Sequence, residues 1–170
     1  YYTRSNGMVK ALYVEKKPEF ANRAKELIKE FKESLQIVNL TDIRVINRYL
    51  IEDLSDEAFL EAGETIFSEP PTDTSCTDMD FRKQQVIAVE YLPGQFDQRA
   101  SSAEECLQFI APDETPTVKS AVIYILEGEL SSDELEKIKE YLINPVESRE
   151  AALGVPATLR SKYPDPAPVA

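Results

Sequence analysis

The sequence predicts an α+β fold of two tandem β-α-β-α units that share one core, followed by an irregular C-terminal tail. Stretches of period-two hydrophobicity alternate with stretches of period three to four, and they do so twice. The segments "RVINRYLIEDLSDEAF" and "SAVIYILEGELSSDEL" match in pattern, with Ser55-Asp56-Glu57 falling on Ser132-Asp133-Glu134. That offset, 132 − 55 = 77, also takes Val45 to Val122 and Ile46 to Ile123. Phe20 and Phe96 both follow a proline-bearing strand exit at an offset of 96 − 20 = 76.

The first unit spans residues 8–67. "VKALYVEK" reads as a strand, and after Pro18 the residues Phe20, Ala24, Leu27, Ile28, Phe31 and Leu35 recur on one face of a helix. In "DIRVINRYLIED", Ile43, Val45, Tyr49 and Ile51 take one side and Arg44, Arg48 and Glu52 the other, the pattern of a strand with one wet face. Ser55 caps the next helix, Asp56 and Glu57 sit at the positive end of its dipole, and Phe59, Leu60, Gly63, Ile66 and Phe67 face inward. Residues 68–84, "SEPPTDTSCTDMDFRKQ", hold paired prolines and no sustained period, so they read as a connecting loop.

The second unit spans residues 85–143. It contains the strand "QQVIAVEYL", a helical stripe of Ala103, Cys106, Leu107 and Ile110, and "VKSAVIYILEG", apolar on both faces and therefore deeply buried. Ser131 and Glu134 have capping-box spacing at the start of the last helix, whose inward face is Leu135, Ile138, Tyr141 and Leu142. Two strands per unit leave an apolar face and open edges, so the units are expected to pack on each other as an internal pseudo-dimer. From residue 144 the composition changes. Glu147 to Leu153 suit about two helical turns, and the four prolines beyond Gly154 exclude regular structure, predicting a loose tail. Residues 1–7, "YYTRSNG", precede Met8 and read as a leader, native or a cloning remnant.

Composition removes whole classes of function. With 31 acidic and 19 basic residues the net charge is −12, which disfavours nucleic acid as a partner. No apolar run approaches the ~20 residues of a membrane span. Two cysteines, Cys76 and Cys106, are too few for a disulfide framework or zinc site and fit a cytoplasmic protein. The absence of histidine excludes Ser-His and Cys-His nucleophiles, and the five scattered glycines form neither a GxGxxG motif nor a P-loop. Asp73, Asp78 and Asp80 lack the glycine and terminal glutamate of a calcium loop. Cys106, on an apolar stripe beside Glu104 and Glu105, is expected to be buried packing, and Cys76 to be an oxidisable loop thiol. No catalytic, metal-binding or cofactor-binding residue is expected in this chain.

Two polar clusters stand out. In Asp97-Gln98-Arg99, Gln98 and Arg99 suit contacts to a neighbouring domain or to an anion near a helix start; the simpler alternative is that Asp97 caps the helix and Arg99 pairs locally. Asn144, Glu147, Ser148 and Arg149 cluster where the last helix ends, in a stretch suited to interdomain contact.

The stretches "YVEKKPEF", "RVINRYLIE", "FSEPPTD", "EYLPGQFDQRASSAEECLQ" and "YLINPVESREA" occur in this order. Together they resemble the N-terminal region of large, single-chain phosphoribosylformylglycinamidine synthase from about Val9 to Ala152. The resemblance implies a PurS-like domain over residues 8–143 with a ferredoxin-like flavour, equivalent to a fused dimer of the small separate subunit, and the incomplete start of a linker domain over 144–170. The parent enzyme it implies is a cytoplasmic ATP-dependent C–N ligase of purine synthesis that uses glutamine and magnesium. Glutaminase nucleophile, ATP and metal positions of that family lie outside this stretch, so no catalytic residue carries over. The implied partners are the linker, synthetase and glutaminase domains of the same polypeptide, with self-association of this piece as a further possibility. The implied role is a scaffold for ammonia transfer. The alternative is a stand-alone regulatory module that binds a small metabolite between two repeats.

Overall fold

A computed structural model describes residues 8–159; residues 1–7, expected to be a leader, and 160–170 lie outside the described residues. The chain is an α+β protein with one six-stranded antiparallel sheet and four helices, compatible with a ferredoxin-like fold. In chain order the elements are β1 (Val9–Lys16), α1 (Asn22–Glu33), β2 (Leu40–Glu52), α2 (Asp56–Thr65), β3 (Asp73–Cys76), β4 (Gln85–Tyr91), α3 (Gln98–Ile110), β5 (Thr117–Gly128), α4 (Ser132–Leu142) and β6 (Ser148–Glu150). The sheet order is β3-β1-β2-β5-β4-β6. β2 and β5, the long strands of the two halves, are therefore the centre, and the short β3 and β6 are the edges.

The offset of 77 is not the one these elements keep. β1 sets Tyr13 opposite Arg48 and β4 sets Ala88 opposite Ile123, so both partners move by 75 (88 − 13 and 123 − 48). The edge pairs Lys16 with Asp73 and Tyr91 with Ser148 give 75 again (91 − 16 and 148 − 73). The caps Ser55 and Ser131 are 76 apart (131 − 55), because the chain takes one more residue from Glu127 to its cap than from Glu52 to its cap. The cap that corresponds to Ser55 is Ser131, not Ser132.

All four helices cover one sheet face. Leu27 and Phe31 of α1 and Ile138 of α4 pack with Ile43, Ile87, Tyr124 and Leu126. Ala58, Phe59 and Ala62 of α2 and Ala100, Ala103 and Leu107 of α3 pack with Leu12, Tyr49, Ile51 and Val118. Capping follows the expected chemistry, since Ser55 accepts from Ala58 N and Ser131 with Glu134 forms a full capping box. Some expected core residues are solvent-facing: Phe20 lies in a single 3-10 turn and Leu60 is on the outer side of α2, where Ala58 and Ala62 let the helix approach the sheet instead.

The opposite face is not wet. Arg48 and Glu52 are each only 3% exposed. Residues after β6 return across this face, where Ala151 and Leu159 are buried with Ala11, Tyr13, Ile46, Leu50, Ile123 and Ile125, and Met79 and Phe81 cover its margin. The tail expected to be loose is tied down as far as Leu159. Arg48 Nη1 donates to Ala152 O at 2.7 Å, Ala151 N to Ala88 O at 2.8 Å, and Glu52 accepts from Thr158 Oγ1 and, at 2.7 Å, from Leu159 N. Burial of two charged side chains demanded partners, and the tail backbone supplies them.

Two further expectations change. Residues 68–84 are not all loop, because Asp73–Cys76 forms the edge strand β3 against β1. Glu147 to Leu153 form no helix; Ser148–Glu150 is the edge strand β6 against β4. Edge strands bury little, so neither needs the alternating apolar pattern that marks a strand in sequence.

Candidate functional site

The turn that launches α3 is set by Gly94, whose φ of +91° follows Leu92-Pro93. Asp97 then caps α3, its Oδ1 accepting from Ala100 N at 3.0 Å. The same carboxylate reaches β5, accepting from Ser120 N at 2.9 Å and Ser120 Oγ at 2.7 Å. Asp97 is thus a bracket between helix and central strand. It fixes where the next two residues, Gln98 and Arg99, project.

Both project into solvent-facing hollows on the helix-covered face. A hollow of about 480 Å³ lies between α2 and α3, bordered by Gln98, Arg99, Tyr49, Phe67, Tyr91 and Cys106. A second, of about 440 Å³, lies towards the first turn of α1 and is bordered by Arg99, Arg23, Lys16, Arg44, Asn47 and Tyr124. Arg99 borders both, together with a smaller hollow beside Asp73 and Ser68. Among the described residues Arg99 makes no ion pair, so the local pairing weighed as the simpler alternative is not formed.

The neighbours of Arg99 are electrostatically distinctive. Burial raises the Tyr49 and Tyr124 phenols above their ordinary range, with Arg99 pulling each back and Arg23 pulling back Tyr124 as well. Both tyrosines therefore stay protonated and able to donate. Arg44 is committed to Glu15 through a two-point contact of 3.0 and 2.7 Å, which raises its pKa further. Lys16 pairs with Asp73 at 2.9 Å. Burial works to raise Asp73, yet Lys16, the Glu69 amide and Thr72 hold it below the ordinary carboxylate range.

The second cluster is assembled differently. Asn144 O accepts from Glu147 N and Ser148 N, and Asn144 Oδ1 from Val146 N at 3.2 Å, so this stretch is a self-satisfied turn. Glu147 contributes its carbonyl to Leu92 N, and Arg149 on β6 donates to Glu90 at 2.8 Å. Arg149 and Asp97 border a further hollow of about 420 Å³ at the edge of the sheet. The structure thus separates Gln98 and Arg99, held out unpaired, from Asn144, Glu147 and Arg149, which are occupied locally.

Cys106 is exposed, as is Cys76, so the buried role expected of Cys106 is not observed. α3 turns Ala100, Ala103 and Leu107 inward, and this narrow stripe leaves Cys106 on its flank. Among the described residues, no three His, Cys, Asp or Glu side chains gather as metal ligands, and no helix is long and apolar enough to cross a membrane. Sequence reasoning missed Arg23, Tyr49 and Tyr124 as neighbours of Arg99. An available signal was arginine in the first turn of a helix, where the dipole disfavours a cation. No known family model matches the chain, and no curated protein matches it.

Proposed function

We propose that this chain is the N-terminal scaffold of a phosphoribosylformylglycinamidine synthase, holding synthetase and glutaminase domains in register so that ammonia passes between them. The observation carrying this reading is the arrangement of the sheet. β1-β2 and β4-β5 share one register under an offset of 75, and β2 and β5 pair along their length at the centre, as a fused dimer would have them. The sequence stretches that resemble that family supply the identity, and the arrangement supports the duplication they imply.

The chain's contribution in this reading is mechanical. A rigid two-part sheet fixes the distance between attached domains, and positioning of that kind supplies rate without bond-making by the scaffold's own side chains. Gln98 and Arg99, presented unpaired, are the side chains best placed to meet a neighbouring domain; Asn144, Glu147 and Arg149 would meet one mainly through their backbone and the outer face of β6. ATP and magnesium would be held by other domains of the parent enzyme, which belongs in the cytoplasm.

The test is the coding sequence downstream of Ala170, expected to encode a linker, a synthetase and a glutaminase in that order. An open reading frame without them would overturn the proposal. So would release of ammonia from glutamine by the purified 170-residue chain.

A further inference from the structure

We propose that the cleft between the first turns of α1 and α3 is a binding site for a phosphate-bearing small molecule, gripped by Arg23 and Arg99. This inference does not rest on the scaffold reading. The protein carries 31 acidic and 19 basic residues, yet Lys16, Arg23, Arg44 and Arg99 converge on this hollow of about 440 Å³ against a single bordering carboxylate, Glu15. Concavity concentrates the field of such a cluster, so the cleft is an electropositive spot on an acidic molecule.

The four cations are not equivalent. Arg44 is neutralised by Glu15 and Lys16 by Asp73. Arg23 and Arg99 remain, each the second residue of its helix, and each adjoins Tyr124, one of the two central tyrosines. A guanidinium in the first helical turn faces the positive end of the helix dipole, an unfavourable placement that the Asp97 cap offsets at α3 and that a bound anion would relieve at α1. α1 adds to this, because Ala21 gives it no side-chain cap and its first turn has no acidic residue. Two planar guanidinium forks facing one space, with tyrosine and Asn47 groups beside them, match a tetrahedral dianion better than a single carboxylate. The volume lies in the range of small-ligand sites and leaves room for the body of the ligand above the phosphate.

An amide-resolved NMR titration of the 170-residue chain with inorganic phosphate, and separately with acetate, tests this. Saturable shifts at Arg23, Ala24, Gln98, Arg99 and Tyr124, with a Kd of about 1 mM or tighter and weaker binding of acetate, are expected. Arg99→Gln and Arg23→Gln should each weaken phosphate binding by ~10-fold. Arg82→Gln, which breaks an exposed pair with Asp80 outside the cleft, should not. The absence of saturable shifts, equal binding of acetate, or binding that survives both cleft substitutions would overturn the proposal. Should Arg99→Gln not fold, the wild-type titration and Arg23→Gln decide. Failure here leaves the scaffold reading standing, and a downstream gene without a synthetase leaves the cleft standing.

Discussion

On one face of the sheet four helices bury Leu27, Phe31, Leu107 and Ile138 against the strands, while on the other Ile46, Ile123 and Ile125 are sealed by returning chain and the margin residues Met79 and Phe81. Helix-covered surface is stabilised chiefly by side-chain packing. The opposite face adds an addressed attachment: Arg48 and Glu52, buried among apolar neighbours, bind Ala152, Thr158 and Leu159 in the returning tail. The lesson is that two buried charges can specify where an otherwise featureless tail must lie.

That contrast can be broken in graded ways. The largest effect is expected from deleting everything after Ile143, which uncovers one whole face and strands Arg48 and Glu52. Cooperative thermal unfolding followed by circular dichroism should be lost, since Ile46, Leu50, Ile123 and Ile125 would be left facing water. Phe31→Ala on the helical face should cost about 3–5 kcal/mol in urea denaturation, because the ring is fully buried and stacks edge-on against Tyr141 at 5.1 Å. Glu52→Ala should cost about 2–3 kcal/mol by removing the acceptor of the buried Leu159 amide. It should also raise amide exchange from Ala151 to Leu159 ahead of the helices. Arg48→Met should cost less than Glu52→Ala, since burial already depresses the Arg48 pKa and its Nε has no hydrogen-bond partner. Equal costs for the two would dissolve the distinction between an address and a filler.

The smallest effect concerns the edge strand β3. Asp73 is held below its ordinary pKa in the folded chain, so its stabilisation is present above the unfolded value, about 4, and is lost as pH falls through the folded value. Amide exchange over residues 69–76 should rise on acidification in the wild type, and Asp73→Asn should remove that dependence.

The parts legible in the sequence are those whose signal is local. Cap serines, the three-four spacing of Ala24, Leu27 and Phe31, and the alternation of β2 all follow from neighbours within a few residues. β3 was hidden because three of its four residues are exposed and the buried one is an aspartate. β6 was hidden because Glu-Ser-Arg-Glu-Ala-Ala-Leu favours a helix, and pairing with β4 overrides that preference. The role of Arg48 was invisible because its partner, Ala152, is 104 residues away. At the candidate site, Arg99 was legible as an unusual residue; its convergence with Arg23 was not, since only the sheet brings the two helix starts together.

The central pairing of β2 with β5 sets a constraint on how fast the molecule assembles. Its partners are separated in the chain by between 65 residues, Glu52 to Thr117, and 88, Leu40 to Gly128. Closing so long a loop precedes any reward from the contacts it makes, which favours slow, millisecond-or-longer kinetics with a barrier sited at this pair. Substitutions such as Ile46→Val or Ile123→Val should therefore depress the folding limb of a chevron plot, whereas Glu52→Ala, which loosens the C-terminal tail and leaves the β2-β5 pair intact, should mainly speed unfolding.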